Sequence, residues 1–269
     1  MIIIVLLCIV LIYLFAIHPR VGTQADMSAF ERVYIAHRGY FDNAGPCPEN
    51  SLAAFRRAVE KGYGIELDVQ LTSDNKLVVF HDASLLRMCN VDKILHECTF
   101  KELQQYRLAN SNEKIPLFTD VLSLVAGAVP LVVEVKPAGD VLKTTETMYS
   151  QMKDYKGVYC MESFHPLAVA WFKKHAPQVV RGQLSMNFFK DEKERGFWEK
   201  FVLSNLLLNW LAGPQFIAYN HQHADQFSYR LCRKISKVKN VAWTIRSQEE
   251  LEKAKEVFSV MIFDSFQPK

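Results

Sequence analysis

The chain has 269 residues, with 32 Lys and Arg against 29 Asp and Glu, for a formal net charge of +3. So slight a balance offers no basic footprint, and no nucleic-acid partner is expected. Six cysteines (8, 47, 89, 98, 160 and 232) show no Cys-x-x-Cys spacing, which argues against a structural zinc site or a disulfide framework.

Residues 1–17 are apolar almost throughout, from Met1-Ile2-Ile3-Ile4 to Phe15-Ala16-Ile17. A signal peptide would open on basic residues and end at small ones, whereas here no Lys or Arg precedes the run and His18-Pro19-Arg20 follows it. A spanning helix needs about 20 apolar residues, with a lower bound near 17. Residues 1–20 are therefore expected to form a single-pass transmembrane anchor, 21–31 a polar linker and 32–269 one domain. Arg20 and Arg32 lie only on the C-terminal side, which places the domain in the cytoplasm by the positive-inside rule.

Val33 to Ala36 reads as a strand ending at His37, with Gly39 allowing a sharp turn. Asn50 or Ser51 caps the next helix, whose buried stripe is Leu52, Phe55, Ala58 and Val59. Lys61-Gly62 stops it. From Ile65 to Leu71 side chains alternate, with Glu66, Asp68 and Gln70 on one face and Ile65, Leu67, Val69 and Leu71 on the other. A turn at 72–76 returns the chain through Leu77 to Phe80. A two-residue loop at Asp74-Asn75 would set His81 opposite Asp68. Two carboxylates at i and i+2 of a strand point the same way and can grip one hard divalent cation. An isolated Glu-x-Asp is more often a solvated strand face, but flanking apolar residues and histidines on both sides favour a site here.

Residues 83–115 break the rhythm with short mixed segments, including a helix start at Thr99-Phe100-Lys101-Glu102-Leu103. Strands then recur at 131–135, 158–161, 179–184, 216–219, 241–243 and 260–263, with helices between them. With the strands at 33 and 65 this makes eight parallel candidates, the rhythm of an α/β TIM (β/α)8 barrel carrying a small insertion after its second strand. An open doubly wound sheet is the alternative, without a Gly-x-Gly-x-x-Gly turn to support it. The segment 187–212 sets a charged run beside Phe197, Trp198, Phe201, Leu206-Leu207-Leu208 and Trp210. It suits either a helix in a membrane interface or a barrel helix with a rich core face.

Together, His37-Arg38, Pro48-Glu49-Asn50-Ser51, Glu66-x-Asp68, His81 and Val133-Glu134-Val135-Lys136-Pro137 resemble the glycerophosphodiester phosphodiesterase family. The resemblance is dense from about Val33 to Pro137. Beyond that it thins to Ser163-Phe164, Gly182-Gln183-Leu184 and Ala242-Trp243-Thr244. It implies Mg²⁺ or Ca²⁺ held by Glu66, Asp68 and Glu134, with His37 as base and His81 as acid. It further implies Arg38 and Lys136 at the phosphate and Trp243 near the glycerol. The threonine often found before the family's late aspartate is missing from Met261-Ile262-Phe263-Asp264, so no role passes to Asp264. His165, His175, His221 and His223 lack partners at ligand spacing and read as solvated or structural.

The expected activity is metal-dependent hydrolysis of small glycerophosphodiesters to glycerol 3-phosphate and an alcohol. A lysophospholipase D with a lysolipid substrate, met at the membrane through the N-terminal helix and 187–212, is the second reading. A non-catalytic lipid-headgroup module is the third, and it would be expected to lack a metal carboxylate or a histidine.

Overall fold

The computed structural model describes residues 1–19, 25–192 and 195–269. The strands are β1 (Ile35–Ala36), β2 (Gly64–Leu71), β3 (Leu77–Val79), β4 (Leu131–Val135), β5 (Tyr159–Ser163), β6 (Val180–Ser185), β7 (Phe216–Asn220), β8 (Lys239–Ile245) and β9 (Val260–Phe263). All but β3 are parallel, and β1 pairs with both β2 and β9, so the sheet closes into the expected barrel. Alternation sorts the side chains. Leu67, Val69, Val133 and Val135 face outward into the layer beneath the helices, while Val132, Cys160, Phe216, Ala218, Val241 and Ile262 pack together inside.

Helices follow as α1 (Ile2–Ile17), α2 (Ser28–Glu31), α3 (Leu52–Glu60), α4 (Leu86–Cys89), α5 (Phe100–Leu103), α6 (Phe118–Val125), α7 (Val141–Met152) and α8 (Pro166–His175). The last five are α9 (Phe188–Asp191), α10 (Phe197–Ser204), α11 (Asn209–Ala212), α12 (Phe227–Ile235) and α13 (Gln248–Ala254). Ser51, not Asn50, caps α3, accepting from the Ala54 N–H at 3.1 Å. The stripe it buries centres on Ala54, Phe55 and Ala58, with Leu52 and Val59 only partly covered. Thr99 and Glu102 form a full capping box at the start of α5.

Four expectations change. The hairpin register is one residue off: Val69 pairs with Val79 and Gln70 with Val78, so Phe80, not His81, lies opposite Asp68. The loop holds three residues, closed by the Thr72 N–H to the Lys76 carbonyl, and Asn75 takes the left-handed position (φ 59°). The spanning anchor is not supported, since α1 has 16 residues, about 24 Å at 1.5 Å per residue, against a hydrocarbon core of about 30 Å. Among the described residues no helix is long and apolar enough to cross a membrane.

The linker fares differently in its two halves. Residues 20–24 lie outside the described residues, but Ala25, Met27 and Phe30 are buried against Ile35, Val260 and Ile262. Alternating apolar side chains thus plug the barrel's N-terminal end where a polar tether was expected. Lastly, 187–212 is three short helices instead of one; Leu206 adopts left-handed backbone within it and Gly213 does so just after it.

The insertion has a small core of its own, in which Leu85, Met88, Leu95, Leu103 and Ile115 close over Val78 and Phe80.

Candidate active site

Strand register assembles the acidic groups. Asp68 on β2 pairs with Glu134 on β4, and Glu134 pairs with Glu162 on β5, so three carboxylates stand in one inward row across neighbouring strands. Glu66 lies two residues before Asp68 on the same face. Oxygens of Glu66, Asp68 and Glu134 come within 4.8 Å of one another. All four carboxylates are buried, the most exposed being Glu134 at 6%.

Burial, then mutual repulsion, raises Glu66 and Glu162 well above the usual carboxylate range and pushes Glu134 up to about 7. Asp68 goes the other way: burial opposes its charge, but Lys136, His81 and Arg38 hold it ionised. Lys136 Nζ lies 2.9 Å from Glu134 Oε1 and 3.4 Å from Asp68 Oδ1. Lys136 and Arg38 beside four buried carboxylates still leave an excess of carboxylate oxygen, and this donor set fits a hard divalent cation.

Arg38 has left-handed backbone (φ 55°), and Gly39 follows at φ 82°. A Cβ on Gly39 would meet Phe55 at 2.9 Å and Ala54 at 3.0 Å, so this turn needs glycine where it crosses α3. The turn brings the Arg38 N–H to Glu66 Oε2 at 2.9 Å and its Nη1 to Glu49 Oε1 at 2.7 Å. Asn50, also left-handed, donates from Nδ2 to Asp68 Oδ2 at 2.8 Å.

Each histidine is backed by an aspartate on Nδ1. For His37 the partner is Asp264 Oδ2 at 2.9 Å, and for His81 it is Asp82 Oδ1 at 2.6 Å. Both aspartates have depressed pKa values and so accept as carboxylates, which puts the proton on each Nδ1 and leaves Nε2 as the reactive nitrogen. His37 Nε2 lies 3.9 Å from Glu66 Oε2. Burial, with Arg38 adding, lowers His37 to about 4. Burial and Lys136 also lower His81, while Asp68 and Asp82 pull it back.

The structure brings His37, Arg38, Glu66, His81, Glu134 and Trp243 to the wall of one cleft of about 130 Å³ at the C-terminal ends of the strands. Asp68 and Lys136 sit directly behind that wall. His81 arrives despite the shifted register because the chain has left β3 by then. The Trp243 ring meets Phe164 edge-on at 5.6 Å, forming an aromatic side to the cleft.

Four participants were not singled out from sequence, and sequence gives a fifth, Asp264, no role although its carboxylate meets His37 Nδ1. Asp82 and Asp264 orient the histidines. Glu162 and Arg246 line the cleft, the latter 3.2 Å from Asp264 Oδ1. Arg87, from the insertion, bridges Asp82 and Glu49 at 2.6–2.8 Å. Asp82, adjacent to His81, could have been found from the sequence; Arg87 could not, because it reaches Glu49 across 38 residues.

A model of the Glycerophosphoryl diester phosphodiesterase family matches residues 37–262. The chain belongs to that family. A glycerophosphodiester phosphodiesterase of Caldanaerobacter subterraneus is 36% identical over 56% of this chain and 65% of its own length. One from Bacillus altitudinis is 31% identical over 56% of this chain and 66% of its own length. The chain thus matches about two thirds of these relatives. Among solved structures, a phosphodiesterase of Oleispira antarctica in complex with sn-glycerol-3-phosphate superposes with TM-score 0.68 at 21% identity, covering 87% of this chain and 92% of that one. A Thermotoga maritima glycerophosphodiester phosphodiesterase gives TM-score 0.64 at 25% identity, covering 87% and 95%.

Proposed function

We propose that the chain hydrolyses glycerophosphodiesters to glycerol 3-phosphate and an alcohol, with Mg²⁺ or Ca²⁺ held by Glu66, Asp68 and Glu134. The observation that carries this reading is the convergence of those three buried carboxylates between two aspartate-backed histidines. Family membership and the structural likeness to phosphodiesterases support it. Glu66, Asp68 and Glu134 would hold a divalent cation there, which would supply Lewis-acid polarisation of the phosphoryl oxygens.

His37, the more strongly depressed imidazole and neutral near pH 7, accepts the proton of the attacking hydroxyl through Nε2. Asp264 stabilises the imidazolium that forms. His81, at the more open edge of the cleft, acts as the acid in its imidazolium form, which Asp82 and Asp68 favour, and delivers the Nε2 proton to the departing alcohol. Arg38 and Lys136 present positive charge to the phosphate, while Trp243 offers its face to the glycerol carbons.

A lysophospholipid is the second substrate class, and one observation favours it. An apolar pocket of about 450 Å³, walled by Pro137, Leu167, Trp198, Val202 and Leu208, shares Phe164 with the reaction cleft and could house an acyl chain. Measuring product release from glycerophosphocholine, glycerophosphoethanolamine and lysophosphatidylcholine, before and after chelation, tests both readings. Turnover of none of them would refute both. For location we propose a membrane surface on the cytoplasmic side, where six free cysteines suit the reducing milieu.

A further inference from the structure

We infer that α1 inserts into one leaflet of a lipid bilayer from the catalytic end of the barrel, so that the mouth of the cleft faces that membrane. The inference rests on the membrane-surface location proposed above and adds depth and orientation to it.

Direction comes from three hydrogen bonds. Tyr13 donates its hydroxyl to Ser228 at 2.7 Å, while the Ile17 carbonyl receives Cys232 Sγ at 3.3 Å and Asn209 Nδ2 at 3.0 Å. Going from 13 to 17 along α1 therefore keeps step with going from 228 to 232 along α12, and the two helices run parallel. Because α12 follows β7, its N-terminus lies at the C-terminal ends of the strands, where the cleft opens. The N-terminus of α1 must lie at that end too. Ser228 is only the second residue of α12, whereas 11 residues of α1, Ile2–Ile12, precede Tyr13. At 1.5 Å each they carry α1 at least about 16 Å past the catalytic rim. One leaflet's hydrocarbon is roughly 15 Å deep, half of the ~30 Å core.

The occupant follows from how the helix is exposed. Ile2–Leu7 and Ile9–Ile12 are each more than half exposed, so apolar side chains show around the whole circumference. A protein groove or a second copy would cover one stripe; hydrocarbon covers every side. The rim around the helix carries matching groups. Phe227 (70% exposed) opens α12, and Phe189, Phe197 (63%) and Trp198 (74%) stand on α9 and α10, which leave the C-terminal end of β6. Exposed tryptophan and phenylalanine at one level are the side chains an interface favours. Substrate would then enter from the bilayer surface.

The test mixes the full chain with phosphatidylcholine vesicles containing dibrominated acyl chains and follows tryptophan fluorescence. Quenching is expected on vesicle binding and should largely disappear in Trp198→Phe. Lys61→Trp, at the opposite end of the barrel, should add emission that the bromolipid leaves untouched. Phe197→Ser combined with Phe227→Ser should weaken vesicle partition by at least roughly 100-fold, on the scale of re-exposing two phenylalanine rings, with kcat on soluble glycerophosphocholine unchanged. Lack of vesicle binding, quenching that survives Trp198→Phe, or equal quenching of Lys61→Trp would each overturn the inference. Vesicle binding with the expected quenching pattern but no hydrolysis of any glycerophosphodiester would uphold the orientation and count against the catalytic reading alone.

Discussion

Asp264→Asn tests whether the buried carboxylate positions His37. The wild-type carboxylate accepts from Nδ1 at 2.9 Å and fixes Nε2 as the basic nitrogen. An asparagine amide removes the charge and can also present N–H groups to the ring. A hydrogen bond to a charged group contributes about 1.5–3 kcal/mol, and it matters most when the imidazolium forms in the transition state. At 1.36 kcal/mol per decade, kcat/KM for glycerophosphocholine should fall roughly 10- to 150-fold, mostly in kcat. Losing the carboxylate also makes His37 less basic, so the acidic limb of the pH–rate profile should move to lower pH. The ion pair with exposed Arg246 contributes little by comparison. Assays at saturating Mg²⁺ and Ca²⁺, with circular dichroism to confirm the fold, would decide. A folded variant with wild-type kcat/KM and an unmoved acidic limb would refute the role of the pair.

His81→Ala should cut turnover by ~10²–10⁴-fold with the fold intact; near wild-type rates would exclude it as the acid. Burial would raise Glu49, but Arg87 and Arg38 overrule it and lower its carboxyl from 4.5 to about 2. Its stabilisation should therefore be complete above about pH 4.5 and fade as pH falls toward 2, an effect of up to about 3 kcal/mol. Urea unfolding across that window should show a flatter acid limb for Glu49→Gln, and an unchanged slope would contradict the assignment. Gly39→Ala, forced into φ 82° with a Cβ 2.9 Å from Phe55, should lose about 1–3 kcal/mol in thermal unfolding. A melting temperature equal to wild type would show that the turn relaxes.

The barrel was legible because each strand announces itself locally. Short β-branched runs such as Leu131–Val135 and Val260–Phe263 sit between amphipathic helices, and eight of them leave closure as the natural outcome. Glu66 and Asp68 could be placed on one face by period alone. The partnership of Glu134 with them came from resemblance, and the β2–β4 register accounts for it.

Other features escaped for physical reasons. Turn chemistry is weakly encoded, so Thr72 to Lys76 was read one residue short. Tertiary ion pairs such as Arg87 with Glu49 leave no sequence period. For α1, apolarity points to a spanning anchor, which its 16 residues do not support. The structure gives its length, and its exit from the barrel follows from Ser228 and Cys232, groups more than two hundred residues away.

Metal dependence is the central claim, and titrating activity with metal in wild type and Glu134→Ala tests it most directly. Chelation should silence the wild-type enzyme, added Mg²⁺ or Ca²⁺ should restore it, and Glu134→Ala should need at least roughly tenfold more metal. Full hydrolysis of glycerophosphocholine in excess EDTA, or a metal requirement unchanged by Glu134→Ala, would contradict it.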